Sequence, residues 1–247
     1  MNDKVVLIVG GARGLGEATA RKFAKNGAKL MLVDILGQEL DALATDLRAG
    51  GADCRSITSD IGIRENCFAI VDETVKLFGR LDILCNVAAI VRFGHTIEVS
   101  ADEWQKVVAV NLSGPFHLCQ AAIPHLLSAH GNIVNVVSQA AMKGLAYIAP
   151  YSASKGGLLQ LTRSMAAEYL KHPIRVNAVA PGTMSTNIAD GLQWPEGVDG
   201  DLLQRHLGVR GPDTTAAVAN AIYFLASDEA ESIHGVCLPV DGGLGAT

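Results

Sequence analysis

Tyr151 and Lys155 pair a phenol with an ammonium, two groups that can exchange protons and stabilise charge. They are four positions apart near the start of a predicted helix. Their side chains therefore share one helix face, with Cβ atoms about 6 Å apart. Chance produces few such pairs, but a surface pair on an amphipathic helix has the same spacing. The pair alone indicates a site without establishing one.

Ser138 and Asn111 strengthen the case for a site. Ser138 ends a predicted strand thirteen residues before Tyr151, and the carboxyl ends of strands are where open α/β sheets bind ligands. Asn111 lies within a predicted helix, where asparagine is a poor helix former. A capping or solvent-facing residue would explain Asn111 alone, whereas the combination favours a functional role.

A glycine-rich turn with Gly10, Gly14 and Gly16 follows the first predicted strand and opens a helix. Glycines let a backbone turn sharply and approach a pyrophosphate, which the helix N-terminus stabilises. Asp34 ends the second predicted strand, and its carboxylate can accept hydrogen bonds from ribose hydroxyls. Its charge would repel a 2′-phosphate, which favours NAD. NADP stays the second choice, because Arg13 in the turn could pair with that phosphate.

Short apolar runs alternate with longer stretches of helical period along the chain. Continuous hydrophobicity within a run is typical of strands buried on both faces of a parallel sheet. The predicted strands are 4–9, 29–34, 53–58, 82–85, 132–137, 175–179 and 236–240. The predicted helices are 16–26, 64–78, 101–128, 151–171 and 214–226. The alternation predicts an α/β fold, a Rossmann-type doubly wound parallel sheet of about seven strands with helices on both faces.

Composition bounds the class of protein. The chain is 49% hydrophobic and 18% charged with a net charge of −5, which excludes a disordered tail protein and offers no basic surface to nucleic acid or anionic lipid. No apolar run approaches the roughly 18 residues of a membrane span. The scattered cysteines lack metal or redox spacing. We expect a single cytoplasmic domain over 1–247 without a metal, whose irregular segment at about 183–211 forms a lid.

The residues described above resemble the short-chain dehydrogenase/reductase family over essentially the whole chain. Its glycine motif and its tetrad of Asn, Ser, Tyr and Lys match the residues already named, with Val9 in place of the motif's threonine. The family's Asn-Asn-Ala-Gly sequence appears as Asn86-Val87-Ala88-Ala89, without its second asparagine and its glycine. The resemblance implies an NAD(P)-dependent oxidoreductase that moves a hydride between a secondary alcohol and its ketone.

The resemblance also implies roles for the tetrad. Tyr151 would be the general acid–base, Ser138 would hold the substrate oxygen, and Asn111 would help to hold a water that relays the proton. Lys155 would bind the ribose hydroxyls and lower the tyrosine pKa. Lowering the pKa of a phenol from about 10 to about 7 takes about 4 kcal/mol. An ammonium group about 4 Å away supplies about that much at an effective dielectric constant of 20.

Further residues around the cofactor are implied in the same way. Asp60 and Ile61 match the pair that flanks the adenine, and the segment from Pro181 to Thr186 matches the one that holds the nicotinamide carboxamide. The predicted cofactor-binding set is Gly10, Arg13, Gly14, Leu15, Gly16, Asp34, Ile35, Asp60, Ile61, Asn86, Ala88, Tyr151, Lys155, Pro181, Gly182, Met184 and Thr186.

The substrate is predicted from the apolar character of the lid and of nearby loops. An apolar pocket with few polar anchors suits a hydrophobic or cyclic secondary alcohol, hydroxysteroids among them. His95 is interpreted as a loop residue in solvent rather than a pocket residue. The predicted substrate-binding residues are Ser138, Tyr151, Met142, Leu192 and Trp194.

Two other functions remain open. One is an NADPH-dependent 3-oxoacyl-thioester reductase, which in this family uses an acidic carrier protein. The lid carries Asp190, Glu196, Asp199 and Asp201 without Lys or Arg between 184 and 201, so acid would face acid. The other is a non-enzymatic nucleotide-binding protein, which the complete tetrad disfavours.

The low charged fraction and the apolar helices predict self-association. The helices around 104–127 and 152–170 are the expected interface. Because members of the family are commonly homotetramers, we expect a homotetramer or a homodimer that acts on a small molecule.

Overall fold

Seven strands form the centre of the computed structural model, which describes residues 1–184, 186, 188, 191 and 193–246. They are β1 (Val5–Val9), β2 (Lys29–Asp34), β3 (Cys54–Thr58), β4 (Ile83–Asn86), β5 (Asn132–Val136), β6 (Arg175–Pro181) and β7 (Cys237–Val240). All neighbouring strands pair in parallel, in the order β3-β2-β1-β4-β5-β6-β7. The predicted fold class is confirmed.

Helices cover both faces of this sheet. They are α1 (Gly14–Lys25), α2 (Gly37–Ala49), α3 (Arg64–Phe78), α4 (Ala101–Val108), α5 (Gly114–Ala129), α6 (Ala149–Glu168), α7 (Gly200–Gln204) and α8 (Thr215–Ala226). A π-helical turn, Ala109–Ser113, joins α4 to α5. Within the described ranges, no helix is both long enough and apolar enough to cross a bilayer.

Strand β1 shows why the apolar runs are continuous. All five of its residues are buried, and successive side chains enter different cores. Ile8 belongs to the cluster that includes Phe23 of α1 and Ile222 of α8, whereas Leu7 belongs to the cluster that includes Leu118 of α5. A strand covered on both faces needs apolar residues at every position.

Three helix predictions need correction. The predicted helix 101–128 is not continuous, because the π-helical turn interrupts it. Helix α2 was not predicted, although it carries an apolar stripe at Leu40, Leu43, Ala44 and Leu47, all buried. This i, i+3, i+4, i+7 spacing is the standard helical signal. Helix α7 was not predicted either and lies in the segment expected to be an irregular lid, whereas the remaining strands and helices lie within three residues of their predicted ends.

The strand order places a ligand-binding edge beside β1. The chain moves outward from β1 to β2 and β3, and then returns to β4 on the other side of β1. The loops at the carboxyl ends of β1 and β4 therefore diverge and leave a crevice between them. Every predicted tetrad residue follows β4 in the chain, and the glycine turn follows β1.

A buried chain of polar side chains fixes α6 against the sheet. Asn86 Nδ2 of β4 donates to Asn135 Oδ1 of β5 over 2.8 Å. Asn135 Nδ2 donates to Thr162 Oγ1 of α6 over 2.9 Å, and that hydroxyl donates to Leu158 O over 2.8 Å. Since α6 also carries Tyr151, these bonds help to set the position of the predicted catalytic residues.

We expect Thr162→Val to lower the free energy of unfolding by about 1–3 kcal/mol, because it leaves the buried Asn135 amide without its acceptor. Thr162→Ser keeps the hydroxyl and should cost about 1 kcal/mol for the lost methyl group. Urea unfolding of both variants measures the difference. A valine variant as stable as the native chain would contradict this role of the polar chain.

Candidate active site

The glycine turn brings the start of α1 against the backbone of β1. A Cβ on Gly16 would lie 1.7 Å from the carbonyl oxygen of Gly10. A Cβ on Gly10 would lie 2.5 Å from the backbone nitrogen of Ala88, and Gly10 has a φ of +86°. Arg13 is the N-cap of α1, and arginine has no acceptor with which to cap backbone N–H groups. The first turn of α1 can therefore bind an anion in the crevice.

Asp34 is held at the end of β2 by two backbone N–H groups. Its Oδ2 accepts a hydrogen bond from Ala12 N over 3.0 Å, and its Oδ1 accepts one from Leu36 N over 3.2 Å. The first of these bonds ties the carboxylate to the glycine turn. The negative charge is thus fixed at the wall of the same cleft as the α1 N-terminus.

Asn111 lies in the π-helical turn, fully buried. Its Oδ1 accepts from Ile90 N over 2.9 Å. Its Nδ2 donates to Ile90 O over 2.8 Å and to Ser154 Oγ over 3.1 Å, and Ser154 Oγ donates to Tyr151 O over 2.8 Å. Both amide hydrogens are therefore engaged. The side chain joins the loop after β4 to the N-terminal part of α6, and its role in holding a water stays a prediction.

Ser138 and Tyr151 meet where β5 ends and α6 begins. Ser138 Oγ accepts from Ala140 N over 3.1 Å, which orients the serine. Burial raises the pKa of Tyr151, and a hydrogen bond with Ser138 lowers it by a smaller amount. Tyr151 packs against the apolar cluster of Val91, Ala140 and Ile148.

Lys155 is a buried cation beneath the tyrosine ring. Its side chain is 1% exposed, and its Nζ lies 5.9 Å from the centroid of the Tyr151 ring. Nζ donates to Val136 O over 2.7 Å. Burial lowers the pKa of Lys155 to about 7.

The predicted electrostatic effect of Lys155 on Tyr151 therefore needs correction. A lysine with a pKa of about 7 is only partly charged at neutral pH. The net pKa shift of Tyr151 is upward, because burial outweighs the favourable contact with Ser138. The protein surroundings alone therefore do not lower the pKa of Tyr151 to neutral pH.

One continuous cleft contains nearly the whole predicted cofactor set. Asn86 is the exception, because it is 2% exposed and its amide bonds to Asn135 inside the sheet. The predicted residues that line the cleft are Gly10, Arg13, Gly14, Leu15, Gly16, Asp34, Ile35, Asp60, Ile61, Ala88, Ser138, Tyr151, Lys155, Pro181, Gly182, Met184 and Thr186. The predicted sets did not include Val9, Val33, Leu36, Ser59, Val87, Ala89, Ile90, Lys106, Val110, Val136, Val137 and Ile188. Most of these residues are adjacent in the chain to a predicted residue. This adjacency is the one signal in the sequence that could have identified them.

The predicted substrate residues are less uniformly placed. Trp194 stacks on Phe93, with ring centroids 4.0 Å apart. Met142 is 42% exposed, and neither Met142 nor Trp194 is among the described residues that line the cleft. The prediction for Leu192, and the acidic residue Asp190, lie outside the described residues. His95 is a loop residue that is not among the described residues lining the cleft, and it is half-buried because it contacts the Tyr147 ring and Glu196 O.

Known proteins share both the sequence pattern and the fold of this chain. The family described as "Enoyl-(Acyl carrier protein) reductase" matches residues 10–245. The chain is 34% identical to meso-2,3-butanediol dehydrogenase of Serratia marcescens, covering 100% of this chain and 96% of that protein. It is 35% identical to the 3-oxoacyl-[acyl-carrier-protein] reductase FabG of Thermotoga maritima, covering 99% and 98%. A crystal structure of carveol dehydrogenase from Mycobacterium avium in complex with NAD aligns with a TM-score of 0.89 at 30% identity, covering 100% of this chain and 99% of that one.

We expect the burial of Lys155 to make stability depend on pH. With its pKa lowered to about 7, the unfolded chain holds a proton that the folded chain lacks between that value and the ordinary lysine value. Stability therefore rises with pH across this window. From pH 7 to pH 9 the lysine contributes roughly 2 kcal/mol to this rise.

Lys155→Met removes this contribution, so the difference in unfolding free energy between the native chain and the variant should shift by that amount. Urea unfolding at both pH values measures it. Lys171→Met, at an exposed lysine, is the control for losing one lysine. Parallel pH dependence of the native chain and Lys155→Met would contradict the expected effect.

Proposed function

Because the chain belongs to the short-chain dehydrogenase/reductase family, we propose that it interconverts a hydrophobic or cyclic secondary alcohol and its ketone with NAD. Membership makes it an oxidoreductase that acts on alcohols with a nicotinamide cofactor. One observation carries the catalytic part of the proposal. Tyr151 and Lys155 share a face of α6 and line the same cleft as the glycine turn and Asp34.

The residues of this cleft fit a dinucleotide. No side chain could be added at Gly16 or Gly10 without a collision, so the backbone itself forms the wall beside the α1 N-terminus, as a pyrophosphate requires. Lys155 donates one of its three ammonium hydrogens to Val136 O. The other two can donate to ribose hydroxyls. When bound, the nicotinamide accepts or supplies the hydride and, in its oxidised form, brings a positive charge.

The chain's own residues handle the proton. In oxidation, the deprotonated Tyr151 side chain, a phenolate, accepts the proton of the alcohol. In reduction, it donates a proton to the forming alkoxide. Ser138 orients the substrate oxygen and favours the phenolate by hydrogen bonding. Hydrogen bonds from Lys155 to ribose hydroxyls favour its protonated form. The rise in the pKa of Tyr151 caused by burial is therefore opposed by Ser138 and by the protonated form of Lys155.

The preference for NAD is supported by Asp34. Its carboxylate is fixed by the glycine turn and by Leu36 N, so it cannot move aside for a 2′-phosphate without losing both bonds. Like charges brought together at a fixed site cost binding free energy. Arg13 also lines the cleft, and NADP remains the second choice for that reason.

The substrate class is supported by the apolar surroundings of Tyr151. Phe93 and Leu145 pack on the same cluster as the tyrosine, which suits a ring or a branched carbon skeleton more than a charged one. Carveol dehydrogenase, named for an alcohol, is a structural neighbour. A hydroxysteroid remains one member of this proposed class.

A 3-oxoacyl-thioester reductase is the second candidate, favoured by the similarity to FabG. The exposed acids Glu196, Asp199 and Asp201 of the lid weigh against it, because an acidic carrier would approach like charge. A non-enzymatic binding protein ranks lower, because the tetrad is complete.

Self-association and a cytoplasmic location complete the proposal. Trp104 of α4 and Phe116 of α5 are each 42% exposed, and apolar aromatic residues on neighbouring helices suit an interface in a homotetramer or homodimer. All five cysteines are free thiols in the structure, as expected of a reducing compartment.

Replacing Tyr151 tests the catalytic assignment. Tyr151→Phe keeps the ring among its apolar neighbours but removes the hydroxyl, so kcat should fall by about 10²–10⁴-fold, the usual contribution of a general acid–base. NAD affinity, measured by calorimetry, should change little. Tyr223→Phe is the matched control and should retain activity. Full activity of Tyr151→Phe toward secondary alcohols would exclude this role.

Replacing Asp34 tests the cofactor preference. Asp34→Asn removes the charge at nearly constant shape, so the ratio of kcat/KM with NAD to kcat/KM with NADP should fall about tenfold or more, equivalent to about 1.4 kcal/mol. Steady-state rates with both cofactors give the ratio. The control is Asp72→Asn at an exposed position on α3. A native enzyme that prefers NADP would reverse the assignment.

A further inference from the structure

A cluster of four rings lies beside the active site; we define the aromatic cluster as Phe93, Tyr147, Trp194 and His206. Trp194 stacks on Phe93 with 4.0 Å between centroids. Its edge meets the ring of His206 at 5.3 Å and that of Tyr147 at 6.4 Å. These residues come from the loop after β4, the loop before α6 and the segment between β6 and α8. The aromatic cluster therefore joins three loops that are distant in sequence.

Hydrogen bonds fix the segment that carries Trp194. The Tyr147 hydroxyl oxygen accepts from Asp199 N over 2.8 Å. His95 Nε2 donates to Glu196 O over 2.8 Å. Both contacts bind the backbone of the lid just after Trp194, so they restrain its path whatever the side chains of Glu196 and Asp199 do.

Tyr147 has an unusual backbone for a bulky residue. Its φ is +64°, in the left-handed region that costs a non-glycine residue about 1–2 kcal/mol. Its carbonyl accepts from Gly94 N over 3.0 Å. This conformation lets one residue bond to the β4 loop through its backbone and to the lid through its side chain. Such an outlier indicates that contacts, rather than local preference, determine the position.

The aromatic cluster also reaches the catalytic tyrosine. Phe93 packs on the apolar cluster of Val91, Ala140 and Ile148, which also supports the Tyr151 ring. Phe93 is thus the single ring between Trp194 and the apolar cluster on which Tyr151 packs.

We propose that Tyr147, aided by His95, is a positioning residue that holds Trp194 on Phe93 and so builds a fixed aromatic wall for the substrate. The wall favours compact ring alcohols over extended acyl chains, because the face of a ring buries apolar surface against flat aromatic side chains. The substrate part rests on the proposed function, whereas the structural part does not. Tyr147 controls substrate binding and takes no part in proton transfer.

Fluorescence tests the structural part without any substrate. The chain has two tryptophans, so Trp104→Phe leaves Trp194 as the one emitter. In that background, Tyr147→Phe keeps the ring but gives up the acceptor for Asp199 N. We expect acrylamide to quench Trp194 about twofold more strongly, as a partly released indole becomes accessible. Unchanged quenching would overturn the proposal.

Kinetics test the specificity part, with cyclohexanol as the probe and NAD as the cofactor. Tyr147→Phe should raise KM about fivefold, the effect of losing one neutral hydrogen bond, while kcat at saturation stays within about twofold. A loss confined to kcat would assign Tyr147 to chemistry instead and overturn the proposal.

Controls separate the two proposals. Tyr169→Phe removes a phenol hydroxyl at the C-terminal end of α6, opposite the end that carries Tyr151, and should change neither quenching nor KM. His95→Gln keeps an N–H donor for Glu196 O and should quench like the native chain, whereas His95→Leu should resemble Tyr147→Phe. If quenching responds as expected but no ring alcohol is oxidised, the lid contact stands and the proposed substrate class fails.

Discussion

The burial of one ammonium group governs this active site. Lys155 lies under the tyrosine ring with Val136 O as its hydrogen-bond acceptor among the described residues, and burial makes its charge costly. A site built in this way is incomplete by itself, because it needs further acceptors to keep the lysine protonated. Cofactor binding and acid–base readiness therefore become coupled.

The fold could be read from the sequence to a large extent, because a doubly covered parallel sheet imposes a simple pattern. β1 is apolar at every position since both of its faces are buried. The π-helical turn could not be predicted, because it depends on Asn111 bonding to Ile90 from a distant loop. Local sequence preference contains no information about such a contact. Helix α2, by contrast, has an apolar stripe that can be recognised in the sequence.

The candidate site was predictable where residue type and spacing carry the chemistry, as for Tyr151, Lys155 and Asp34. It was less so where burial decides. Asn86 has a suitable side chain and the expected place in the chain, yet the sheet interior uses its amide. The pKa shifts of the catalytic pair depend on a degree of burial that only the packed molecule defines. The contact of His95 with the lid backbone could not be predicted, because Glu196 is about one hundred residues away in the chain.

The π-helical turn has a consequence for how this chain can change. Removing one residue from Ala109–Ser113 would restore an ideal helix from α4 into α5, a locally favourable outcome. It would also change the direction of the side chains within the turn itself, because the turn is where the extra residue is accommodated. Asn111 could then no longer bridge to the loop after β4. A regular α-helix and the bonds from Asn111 to Ile90 are therefore alternatives at this point of the fold.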